Sequence, residues 1–115
     1  MSKEVKQAWE RAKKSVSNSF LTLNNKIFEI ASYTDDNLID GPLNTLREVF
    51  EIAYKFLKKW NPLKHDWVVE EEVEFNTAMN ELRIELKKED SQKATIEKCM
   101  NNLAVRTKNI VNVKI

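Results

Sequence analysis

His65 is the single histidine of the chain, and its neighbour is Asp66. An imidazole beside a carboxylate is the pairing of a general base, since histidine alone changes charge near neutral pH without special perturbation. The pair falls within Trp60-Asn-Pro-Leu-Lys-His-Asp-Trp67, a segment interrupted by proline. Adjacent residues on an exposed turn do not converge on one substrate atom, so no catalytic role is expected for either. Trp60 and Trp67 are expected to plug the end of the core, because tryptophan buries a large apolar area.

Glu70, Glu74, Glu81 and Glu85 form a second candidate. Metal-binding helical bundles project glutamates inward together with Glu-x-x-His pairs. None of these four has a histidine three residues on, and at 100° per residue the stripe lies about 120° from the apolar face of its helix. A solvated face, or the partner of a basic helix, is therefore expected. One Cys and one His cannot complete a four-ligand zinc site, and one Gly cannot build a phosphate-cradling loop. Neither metal nor cofactor is expected. Cys99 sits beside Met100 and near Leu103, so it reads as a core residue rather than a nucleophile.

Lysine is the remaining chemical resource, 15 residues against 4 arginines. Lys6, Lys13 and Lys14 near the start, with Lys55, Lys58, Lys59 and Lys64 further on, could neutralise phosphates of a nucleic acid. Against that stand a net charge of +1 and the scarcity of arginine, the residue best shaped to fork onto phosphate. Glu10 precedes Lys14 by four residues and Glu51 precedes Lys55 by four, so both lysines have helix-surface partners.

The elements that must position these groups are helical. Val5, Trp9, Ala12, Val16, Phe20, Leu23, Ile27 and Ile30 recur at steps of three or four, predicting a first helix over residues 3–33 with Ser2 as its cap. The polar run Ser15–Ser19 is its weak point. Asp35, Asp36 and Asn37 read as a loop, and Asp40-Gly41-Pro42 as the start of a second helix, proline fitting a first helical position. That helix carries Leu43, Leu46, Phe50, Ala53, Leu57 and Trp60, with Val49, Ile52, Tyr54 and Phe56 widening the apolar sector, so it should be the most buried. Asn61 or Asp66 caps a third helix with Val68, Phe75, Met79, Leu82 and Leu86 on one face. Asp90-Ser91 caps a fourth, over about residues 92–112, with Ile96, Met100, Leu103 and Ile110 inward.

Four helices on short connections predict an all-α fold of one domain over residues 1–115, an antiparallel four-helix bundle running up-down-up-down. Net charges of −5 over residues 61–90 and +4 over 91–115 favour the third and fourth helices as neighbours. The start Met1-Ser2-Lys3-Glu4 leads into no apolar leader, and apolar runs reach three residues where a bilayer span needs about 20. A soluble cytoplasmic protein without a membrane partner is expected.

The stretch Leu38–Trp60, and within it Phe50-Glu-Ile-Ala-Tyr-Lys-Phe-Leu-Lys-Lys-Trp60, resembles the second helix of the HEPN-type proteins that accompany minimal nucleotidyltransferases. The superfamily's arginine-to-histidine ribonuclease motif is absent, as none of Arg11, Arg47, Arg83 or Arg106 is followed by histidine at its spacing. The resemblance implies a catalytically inactive helical partner protein.

Apolar residues left over by one bundle point to association. Val69, Val73 and Ile84 lie about 130° from the core face of the third helix, and Leu21 and Phe28 lie away from the stripe of the first. The first helix also reads about ten residues longer than the second, leaving part of its stripe without a neighbour. These five residues define an expected interface with a second copy or another protein. The functional expectation is a non-enzymatic interaction module, with nucleic-acid binding through the seven lysines as the alternative.

Overall fold

The computed structural model describes residues 2–33 and 35–115. Met1, where the expectation of a leaderless start begins, lies outside them. The described chain forms four helices, α1 (Lys3–Ala31), α2 (Asp36–Trp60), α3 (His65–Leu86) and α4 (Lys93–Val111), with a short 3-10 turn over Pro62–Lys64 between α2 and α3. It is an all-α four-helix bundle of 49 × 23 × 20 Å.

Side-chain pairings set the directions. Trp9 stacks on Phe56 with ring centroids 5.3 Å apart, so the start of α1 meets the end of α2. Arg83 Nε donates to Asp40 at 2.8 Å and Lys58 donates to Glu72 at 2.7 Å, which runs α3 against α2. Arg106 reaches Glu71, and the indole N–H of Trp9 donates to the Val113 carbonyl at 2.9 Å, so α4 runs against both α3 and α1. The order is up-down-up-down. Helices α1 and α3 occupy opposite corners, each packed on α2 and α4.

The core follows the expected stripes. Trp9, Val16, Leu23, Ile27 and Ile30 bury from α1, and Val68, Phe75, Met79, Leu82 and Leu86 from α3. Phe50 and Phe75 stack at 4.0 Å in the middle, with Tyr54 edge-on to Phe75. Ser2 caps α1 by accepting from the Val5 N–H. The helix runs unbroken through Ser15–Ser19, because Val16 within that run is fully buried and anchors it.

Several boundaries differ from the sequence reading. Helix α1 ends at Ala31, where the Ser32 and Tyr33 N–H groups turn back to the Glu29 and Ile30 carbonyls. Helix α2 begins at Asp36, not Pro42: Asp35 is extended and its carboxylate accepts from the Asn37 N–H at 2.8 Å. Ile39 buries in that first turn and holds it on the core, so Pro42 stands inside the helix. The two helices are then 29 and 25 residues long, and the expected overhang of α1 shrinks to four residues.

Neither Asn61 nor Asp66 caps α3 through its side chain. Lys64 precedes the helix without a side-chain cap bond, and Asp66 sits in the first turn, where a carboxylate suits the positive end of the helix dipole. Nor do Asp90 and Ser91 cap α4: the flanking residue is Gln92, and its N–H is taken by Glu85 at 3.0 Å. Glu85 is therefore buried, and the expected solvated stripe is reduced to Glu70, Glu74 and Glu81. Helix α3 buries eight residues against seven in α2, because α4 covers Glu71 and Glu85 as well as the apolar face.

Candidate docking surfaces

Most buried polar groups of the bundle are used within it, Ser91 Oγ and Arg106 Nε being without a partner among the described residues. Glu71 lies three residues after Val68 and four before Phe75, so its carboxylate turns inward toward α4. There it accepts from Arg106 Nη1 at 3.2 and 3.3 Å and from the Asn109 amide at 3.2 Å. The Tyr54 hydroxyl donates to the Glu71 carbonyl at 3.2 Å, and burial, then the Glu71 charge, push the phenol far above its ordinary range. A tyrosine so held stays protonated and keeps its hydroxyl as a donor to Glu71. Neither Glu71 nor Arg106 stood out in the sequence, although helical spacing from Val68 and Phe75 places Glu71 on the core face.

The groups with chemical promise are not assembled for catalysis. His65 Nδ1 and Asp66 Oδ1 are 3.6 Å apart, too far for a hydrogen bond, and both side chains are exposed. Cys99 is half-buried in a groove of about 590 Å³ between α3 and α4, which Ile84 also lines. Burial, then the Glu81 and Glu85 charges, push its thiol up, which keeps it from the reactive thiolate form. Among the described residues no group of three histidine, cysteine or acidic side chains is placed to hold a metal ion.

The seven lysines proposed for nucleic acid divide. Lys13 pairs with Glu10 at 2.7 Å, Lys55 with Glu51 at 3.3 Å and Lys58 with Glu72 at 2.7 Å. Lys6 and Lys14 are exposed on α1, Lys14 beside a shallow hollow that Arg11 and Val111 also line. Lys59 and Lys64 lie over aromatic rings, their ammonium groups 5.1 Å from Trp60 and 5.3 Å from Trp67. Neither ring is a buried plug. Trp67 is half-buried and Trp60 36% exposed, while the fully buried tryptophan is Trp9.

All five residues of the expected interface are exposed, but on two faces. Leu21 and Phe28 lie on α1, with the Lys93 ammonium 5.1 Å over the Phe28 ring. Val69, Val73 and Ile84 lie on α3, at the opposite corner. One flat surface cannot touch both sets, because the whole bundle stands between them.

On α3 the exposed strip is continuous. At 100° per residue Val69, Val73, Asn76, Asn80 and Ile84 fall within one lane about 80° wide, centred about 130° from the core face. All five are exposed, and no charged residue between 69 and 84 enters the lane. Glu70, Glu74 and Glu81 border it on one side, Glu72 and Arg83 on the other. Asn76 and Asn80 also line a groove of about 390 Å³ shared with Arg47, Glu51 and Tyr54 of α2.

The third exposed feature is the end of the bundle where the start of α1, the end of α2, the 3-10 turn, the start of α3 and the end of α4 meet. Lys64, Trp67, Asn109, Val113 and Lys114 line one hollow there. Leu63, at the tip of the turn, is 99% exposed.

No family model, curated protein or solved structure matches the chain. The likeness of Leu38–Trp60 to HEPN-type proteins thus stands on that stretch alone. No helix among the described residues is long and apolar enough to cross a membrane.

Proposed function

We propose that the chain is a non-enzymatic interaction module that self-associates through the outer lane of α3. The observation that carries this reading is the uncharged lane itself: Val73 is 58% and Ile84 62% exposed, in line with Val69 and two asparagines. Isolated exposed apolar residues are ordinary, whereas an aligned strip about 22 Å long, at 1.5 Å per residue from 69 to 84, is the pattern of a contact surface.

The lane is self-complementary. A parallel pair about a two-fold axis sets Val69 and Val73 against their own copies, Ile84 against Ile84, and the amides of Asn76 and Asn80 against amides. Asparagine within an otherwise apolar seam favours a dimer in one register, because an amide facing an apolar neighbour loses its hydrogen bonds. The charged borders keep the seam narrow.

The non-enzymatic part of the reading rests on where the titratable groups are committed. Glu71 holds Arg106 and Asn109, Glu85 caps α4, the Cys99 thiol is kept neutral, and His65 and Asp66 stand apart in solvent. The nucleic-acid alternative keeps Lys6, Lys14, Lys59 and Lys64, since the other three lysines already face carboxylates.

Light scattering on Val73→Glu decides the matter. The variant should be a folded monomer where the wild type is a dimer, and Leu21→Glu, at the opposite corner, should leave the dimer intact. Dissociation by Leu21→Glu with Val73→Glu still dimeric would move the interface to α1.

A further inference from the structure

Leu63 has no role inside the fold. It projects from the 3-10 turn with 99% of its surface in water, although it is the largest aliphatic group in a turn that Pro62 stiffens. Trp60 and Trp67 flank it, one at the end of α2 and one in the first turns of α3. Lys59 and Lys64 sit over those two rings, so each cation is held beside an indole rather than beside a carboxylate.

One bare aliphatic side chain, two partly exposed indoles and an ammonium group over each indole thus share this end. Aliphatic chain, tryptophan and lysine are the groups suited to the boundary of a bilayer, where acyl chains give way to headgroups and then to water. The rest of this end adds positive charge: Lys3, Lys6 and Lys114 against Glu4 and Asp66.

We infer that this end of the bundle docks on the surface of an anionic phospholipid bilayer, with Leu63 entering the acyl boundary and Lys59 and Lys64 meeting phosphate headgroups. The contact is peripheral and needs neither a spanning helix nor the α3 lane. A nucleic acid would use the lysines but not the aliphatic tip. A neutral lipid surface would use the tip but not the lysines. An anionic bilayer uses both, and this charge complementarity favours it.

The test is sedimentation of the full chain with vesicles of phosphatidylglycerol and phosphatidylcholine, with vesicles of phosphatidylcholine alone, and with a short DNA or RNA duplex. Binding to the anionic vesicles, weakening with added salt, is expected together with a blue shift of tryptophan emission from Trp60 and Trp67, Trp9 being already buried. Leu63→Asp should weaken binding by about 10–100-fold, the range implied by losing one buried leucine. Lys59→Gln with Lys64→Gln should weaken it roughly 25-fold, as expected for two lysines at an anionic surface. Both variants should melt with the wild type, since none of these side chains is buried. Equal binding to phosphatidylcholine alone, no binding at low salt, or undiminished binding by Leu63→Asp would each overturn the inference. Duplex binding that ignores Leu63→Asp would assign the lysines to nucleic acid instead.

Discussion

The two ends of the bundle differ in how far they commit their charged side chains to the fold. Where α2 begins and α3 ends, Asp40 accepts from Arg83 at 2.8 Å and from Lys87 at 3.1 Å, and Glu85 takes the N–H that opens α4 while pairing with Lys88 at 3.3 Å. At the other end Leu63 is bare, Asp66 extends into water, and Lys59 and Lys64 rest on indole rings. The first end commits these charges to closing the fold, although Lys93 over the Phe28 ring and an exposed Leu38 lie there as well. The second commits Lys58 to Glu72 and Arg106 to Glu71 within the helices, but at its tip it keeps cations and apolar groups that the fold does not use, and such groups mark a surface that meets something else. The same contrast runs around the circumference, where α3 turns a packed face to α2 and α4 and an uncharged lane outward.

Substitutions can break this comparison, beginning with the core that both ends share. Phe50→Ala should cost about 3–5 kcal/mol in denaturant melts, as loss of a buried aromatic does, because Phe50 is fully buried and stacked on Phe75. A cost under about 1 kcal/mol would mean that the centre of the bundle is packed otherwise. Glu71→Ala should follow at about 2–4 kcal/mol, since it strands the guanidinium of a largely buried Arg106. Replacing both partners, Glu71→Met with Arg106→Met, should recover most of that loss if the penalty comes from the stranded charge.

The closed end should respond to acid. Hydrogen bonds from Arg83, then Lys87, hold the Asp40 carboxyl below its usual range; the Gln92 N–H, then Lys88, do the same for Glu85. A carboxyl depressed in the folded state adds stability above its unfolded pKa and loses it as pH falls through the folded one. Melting temperature should therefore decline below about pH 4, and Asp40→Asn should flatten part of that decline. An acid slope identical in the variant would mean the Asp40 cluster contributes nothing. Leu63→Asp marks the bottom of the scale: the melting temperature should not move, whereas a clear fall would show that the exposed tip has a structural role.

Much of this was legible in the residues. Steps of three and four placed all four helices, and the apolar stripes of α1, α3 and α4 became the core because burial is what periodicity reports. What escaped was the contribution of partners distant in the chain. Glu85 was expected in water with Glu70, Glu74 and Glu81; a donor seven residues on, the Gln92 N–H, draws it under the start of α4. Pro42 suggested a helix start because the local rule is strong, yet burial of Ile39 a turn earlier outweighs it. Leu21 and Phe28 were grouped with Val69, Val73 and Ile84 because spacing shows that a residue faces away from its own helix's core. It does not show which corner of the bundle that helix occupies.

Self-association through the α3 lane is the central claim, and the mass in solution tests it most directly. Sedimentation equilibrium of the wild-type chain over a series of micromolar concentrations should return twice the 13.5 kDa chain mass at the upper end, shifting toward a single chain on dilution. A mass of one chain throughout the series would contradict the account.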